Sequence, residues 1–104
     1  MERVGFTMRL LPGQEAEYRR RHAAVWPEML DALKAAGCRD YSIFIRGPDL
    51  FAYLEVDEFA AFRRSMAANP VNERWQAEMA ALIDPLTDPE TGFHQRLEEV
   101  FHLD

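Results

Sequence analysis

Asp40-Tyr41-Ser42-Ile43-Phe44-Ile45-Arg46-Gly47-Pro48-Asp49-Leu50-Phe51-Ala52-Tyr53-Leu54-Glu55-Val56 reads as two strands joined by a turn, and the rest of the fold can be built outward from it. From Asp40 to Arg46 the side chains alternate, with Tyr41, Ile43 and Ile45 opposite Ser42, Phe44 and Arg46, which is the period of two that an extended backbone imposes. Gly47-Pro48-Asp49 is a compact turn and Leu50 to Val56 a second extended run, so the pair reads as a hairpin. The second run is apolar on both sides. Leu50, Ala52, Leu54 and Val56 face one way while Phe51 and Tyr53 face the other, and a strand of that kind needs cover on each face.

Working back towards the N-terminus, residues 3 to 11 alternate in the same way, with Val4, Phe6, Met8 and Leu10 opposite Arg3, Gly5, Thr7 and Arg9. Pro12-Gly13 closes that strand, and a helical segment begins at Gln14 and ends after Lys34-Ala35-Ala36 at Gly37, which takes a left-handed cap at little cost. Downstream of the hairpin, Asp57 is the expected N-cap of a helix with the stripe Phe59, Phe62 and Met66. Asn69-Pro70 interrupts it, and Val71, Trp75, Met79 and Leu82 or Ile83 recur at helical spacing in a further helix. Asp84-Pro85 through Gly92 is a surface-wrapping loop, and Leu97 to Leu103 alternates as a fourth strand. Strand, helix, strand, strand, helix pair, strand is the α+β, ferredoxin-like βαββαβ order, with an antiparallel sheet and helices on one face. Residues 1–104 form a single domain, without repeats or linkers. Aromatic residues on both sides of the third strand predict that the bare face is buried against another copy, giving a homodimer of the dimeric α/β-barrel type.

Composition narrows the function. A domain of 104 residues buries roughly two-thirds of its unfolded surface, and 48% hydrophobic residues supply a core without staples. Cys38 is the only cysteine, which excludes an internal disulfide and fits a reducing compartment. Met1-Glu2-Arg3-Val4-Gly5 starts no long apolar run, so a cytoplasmic protein is expected. The net charge of −6 opposes phosphate backbones and anionic lipid, which argues against nucleic acid or a membrane as partner. Arg19-Arg20-Arg21 is the one basic run, and on a helix it fans out as a solvated face.

Chemistry concentrates in Tyr18-Arg19-Arg20-Arg21-His22-Ala23-Ala24-Val25-Trp26-Pro27-Glu28. Tyr18 and His22, four apart on a helix, share a face. Pro27 denies a hydrogen bond to the carbonyl of Ala23 and pushes Trp26 out of helical angles, so the segment either kinks or splits into two helices with Pro27 first in the second. An imidazole with an ordinary pKa of about 6.5 gives or takes a proton at neutral pH. On spacing alone, a helix-face histidine is as a rule a hydrogen-bonded structural residue. Tyr18, Tyr41 and Trp75 likewise fit core packing as bare features. His94 and His102 lie far from His22 in sequence, and no histidine has metal-ligand spacing with another or with Cys38, so no metal is expected. Phosphate-loop and nucleotide fingerprints are absent.

The run Tyr-x-x-Arg-His, three residues, then Trp-Pro-Glu resembles the signature of the L-rhamnose mutarotase family, and the likeness extends from Arg3 and Phe6 through Pro12, Gly37, Tyr41 and Arg74-Trp75 to Glu99-Val100-Phe101 and Leu103. The resemblance implies an α+β dimer that interconverts the anomers of the monosaccharide L-rhamnose without a cofactor. It implies His22 as the acid–base residue, with Tyr18, Tyr41 and Trp75 binding sugar. The family commonly has two tryptophans at the last point; Gln76 replaces the second here and is expected to keep a polar contact to a hydroxyl. Trp26 and Glu28 are expected as structural support. Two other readings remain open: a small dimeric monooxygenase, which predicts an apolar pocket without convergent hydroxyl partners, and a non-catalytic sugar-binding or regulatory dimer.

Overall fold

The computed structural model describes residues 1–104. Period-two patterning becomes β1 (Glu2–Leu10), β2 (Cys38–Arg46) and β3 (Asp49–Val56). The hairpin pairs Arg46 with Asp49 through to Tyr41 with Leu54, with an irregularity between Cys38 and Asp40. Gly47 turns it at φ +59°, in the left-handed region that glycine tolerates. β1 lies antiparallel on the other edge of β3, from Glu2 opposite Val56 to Arg9 opposite Asp49. One face therefore carries Val4, Phe6, Met8, Leu10, Leu50, Ala52, Leu54 and Val56, all buried.

Four helices cover that face: α1 (Glu15–His22), α2 (Pro27–Ala35), α3 (Phe59–Ala67) and α4 (Pro70–Met79). The segment around Pro27 resolves as two helices, not a kinked rod. Trp26 sits at φ −55°, ψ 133°, outside helical angles as a residue before proline must be, and Pro27 starts α2. α1 thus ends at His22, and the link from Ala23 to Trp26 turns the chain over the sheet. Asn69 caps α4 by accepting from the N–H groups of Val71 and Asn72 at 2.8 and 3.2 Å. Met29, Phe59, Phe62, Met66, Trp75 and Met79 are the buried faces of these helices, and each such side chain contributes about 1.5–3 kcal/mol of hydrophobic stabilisation.

Two expectations are corrected. Asp57 is not the cap of α3: Glu58 holds the N-cap position without a side-chain bond, and the Phe59 N–H donates to Glu2 Oε2 at 2.6 Å. Asp57 is drawn instead to the guanidinium of Arg39, a stronger partner than a backbone N–H. The expected fourth strand from Leu97 to Leu103 shrinks to β5 (Arg96–Leu97), and a further short strand, β4 (Ile83–Asp84), appears before it. Both pair antiparallel with β1, β4 at Arg9 and Leu10 and β5 at Gly5 and Phe6, giving the order β2-β3-β1-β4 with β5 beside β1. Beyond Leu97 the chain meets no further backbone to pair with. Its alternating Val100, Phe101 and Leu103 stay exposed, and only the Arg3–Glu99 ion pair ties that end down.

Candidate active site

A cavity of about 670 Å³ opens between the covered face of the sheet, all four helices and the loop that joins β4 to β5. Its floor is Phe6, Tyr41, Ile43 and Leu54 from the strands, and its walls include His22, Val25, Met29 and Leu33 from the α1–α2 region and Trp75 and Gln76 from α4. The local sequence explains the delivery. His22 is the last residue of α1 because Pro27 prevents the helix from running on, so the ring projects where the chain turns.

The His22 ring is held on several sides. It stacks on Tyr18 at 4.0 Å between centroids and meets Trp75 edge-on at 5.5 Å. Its Nδ1 lies 2.9 Å from the carbonyl oxygen of Tyr18. A carbonyl only accepts, so Nδ1 carries the hydrogen of the neutral ring and Nε2 keeps the lone pair. Burial pushes the imidazole below its ordinary value, opposed by the bond to Tyr18, so at neutral pH the ring is uncharged and Nε2 is a base.

Of the five residues singled out in the sequence, His22, Tyr41, Trp75 and Gln76 line the cavity and Tyr18 does not. Tyr18 is 5% exposed and packs behind His22. Burial raises its phenol to about 12. Tyr41 lines the cavity, and burial of its phenol is the main cause of its upward shift. Both phenols stay protonated and serve as hydrogen-bonding groups. Gln76 Nε2 donates to Asn72 Oδ1 at 3.2 Å, which turns the amide oxygen free to accept. Trp26 meets Trp75 edge-on at 5.1 Å and lies under the Arg74 guanidinium, so it braces Trp75.

The arginine run is absorbed by glutamates. Arg19 pairs with Glu15, Arg20 with Glu17, and Arg21 with both Glu17 and Glu78, the last joining α1 to α4 behind the histidine. Residues without any signal in the spacing also reach the cavity, namely Arg63, Asn72 and His94, and Phe6 joins them from the apolar stripe of β1. His94 in particular comes from the loop, where no periodicity exists to orient it.

The whole chain can be set against known proteins. It matches the family model described as L-rhamnose mutarotase over residues 3–103. It is 45% identical to the L-rhamnose mutarotase of Burkholderia orbicola over 100% of both chains, and 41% identical to that of Listeria monocytogenes over 99% of each. The chain belongs to the L-rhamnose mutarotase family. The crystal structure of the L-rhamnose mutarotase from Formosa agariphila, 34% identical, superposes with a TM-score of 0.81 across 100% of both chains. The α+β, ferredoxin-like fold expected from strand and helix order is therefore the fold of an L-rhamnose mutarotase.

Proposed function

We propose that this cavity interconverts the α and β anomers of L-rhamnopyranose, with His22 moving the proton. The observation that carries the reading is the His22 ring, fixed at Nδ1 by a carbonyl and presenting a basic Nε2 to a cavity with hydroxyl, amide and indole partners, in a chain of this family. Mutarotation needs two proton transfers. The anomeric hydroxyl loses a proton as its oxygen becomes the aldehyde carbonyl, and the ring oxygen gains one as the bond to C1 breaks. Rotation about C1–C2 and the reverse steps close the ring on the other face. Proton transfers drive both the opening and the closing of the ring, so the chemistry calls for no cofactor.

The hydroxyl of Tyr41 and the amide oxygen of Gln76 bind sugar hydroxyls, while Tyr18, packed behind His22, holds that ring in place instead of touching the sugar. Trp75 offers an aromatic platform, and Val25, Met29 and Leu33 supply an apolar wall suited to a methyl group. The setting is the cytoplasm, in keeping with one buried, unpaired Cys38.

The protein works as a homodimer. Support comes from the sheet face opposite the helices, where Phe44 (62% exposed) lies directly across from Phe51 and the exposed Leu97 covers Gly5 nearby. A contiguous apolar patch of this kind on a small domain marks an interface.

Saturation-transfer NMR on equilibrated L-rhamnose tests the activity. The unmodified protein is expected to speed exchange between anomers, and His22→Ala to lower that rate by about 10²–10⁴-fold with the fold intact by circular dichroism. Undiminished exchange in the variant would move the acid–base role to another residue. No exchange with the unmodified protein would reject the substrate.

A further inference from the structure

His94 repeats the arrangement of His22 on a second wall of the same cavity. The loop that carries it is a built structure: the Asp88 N–H donates to the Phe93 carbonyl at 2.7 Å, the Gln95 N–H to the Leu86 carbonyl at 3.0 Å, and Thr87 bridges to His94, so the chain between β4 and β5 folds as a narrow hairpin. The imidazole of His94 lies flat on Phe6, 4.6 Å between centroids and 9° between planes, with Phe93 edge-on at 4.8 Å. Its Nδ1 is 2.8 Å from the carbonyl oxygen of Pro85. As at His22, a carbonyl acceptor places the hydrogen of the neutral ring on Nδ1 and leaves Nε2 for proton transfer. Arg63 of α3 is the charged group that bears on it, held by its bond to the Thr91 carbonyl at 2.9 Å and lying over Phe93.

Ring opening requires an acid and a base at the same time, at two different oxygens, and His22 alone supplies one of them. We propose that His94 is the second acid–base residue of this site, paired with His22 through their two free Nε2 atoms; the assignment rests on the mutarotase reading above. The reactive form of the pair is the one that holds a single proton, and burial of both rings places that form on the acid side of neutrality. The neutral ring takes the proton from the anomeric hydroxyl, the electron pair left behind forms the carbonyl, and the bond from C1 to the ring oxygen breaks. The electrons of that bond take the proton from the protonated ring. After rotation about C1–C2 the two rings run the same transfers in reverse, so the proton count is unchanged.

The test compares His94→Asn and His94→Gln with the unmodified protein in the L-rhamnose exchange assay, across pH. Asparagine places an amide nitrogen where Nδ1 stands and keeps the bond to Pro85; glutamine places a polar group near Nε2; neither carries a proton in this range. Both variants are expected to lose about 100-fold in kcat with KM changed little. The unmodified protein is expected to show a bell-shaped pH profile, with one limb for loss of the base and one for loss of the acid, and the variants to lose a limb. Exchange within about threefold of the unmodified rate in either folded variant overturns the proposal. A rate that stays flat towards alkaline pH in the unmodified protein also overturns it, without any variant. If the unmodified protein exchanges and the variants match it, His94 alone falls and the mutarotase reading stands; if the unmodified protein does not exchange, both fall.

Discussion

At the level of single residues, the two cavity histidines couple chemistry to stability. Burial lowers both imidazoles from the ordinary value, with the carbonyls of Tyr18 and Pro85 opposing and Arg63 adding to the shift at His94. In the unfolded chain each histidine titrates near ~6.5. Between that value and the lower folded one, the unfolded state binds more protons, so stability rises with pH across the window and is lost as pH falls through it. Thermal melts are therefore expected to give a falling Tm on acidification from about pH 7.5 to about pH 5, and His94→Asn to flatten the decline by removing one contributor. A Tm unchanged over that interval would contradict the burial of both rings. Glu17, held near 2 mainly by Arg20 and then Arg21, and Asp57, held low by Arg39, lose their charge only in more acid solution and so do not share the window.

At the level of elements, punctuation decides where the site residues go. Pro27 cuts the first helical segment in two, which leaves His22 at the end of α1 and makes Trp26 a brace for Trp75. Asn69 and Pro70 start α4 anew, and α4 carries Trp75 and Gln76. Replacing Asn69 by alanine strips the acceptor from two backbone N–H groups, so a loss of about 1 kcal/mol and a fall in Tm of about 4–8 °C are expected by calorimetry. Exchange activity below the melt should be retained, since Asn69 itself does not line the cavity. The breaks were legible because proline and Asx chemistry is local. The cap of α3 was not: Glu2, far away in sequence, supplies the carboxylate that Asp57 gives up to Arg39.

At the level of the whole molecule, an antiparallel sheet covered on one side leaves Phe44, Phe51 and Leu97 facing outward, and Phe101 (78% exposed) unsupported beyond β5. Phe44→Glu would bury a charge in the proposed homodimer interface, so sedimentation at micromolar concentration is expected to give a dimer for the unmodified protein and a monomer for the variant. A monomer in both cases would sink the dimer reading. The sequence by itself determined three long strands, the break at Pro27, the helix pair after the hairpin and the ferredoxin-like order, because periodicity and helix breaks act between residues close along the chain. Tertiary structure alone decided that Ile83–Asp84 and Arg96–Leu97 share the edge of β1, that Tyr18 backs His22 instead of lining the cavity, and that Arg63 and His94 enter it. Strand edges and cavity walls are completed by hydrogen-bond and packing partners distant in sequence, and a loop histidine has no period from which its direction can be read.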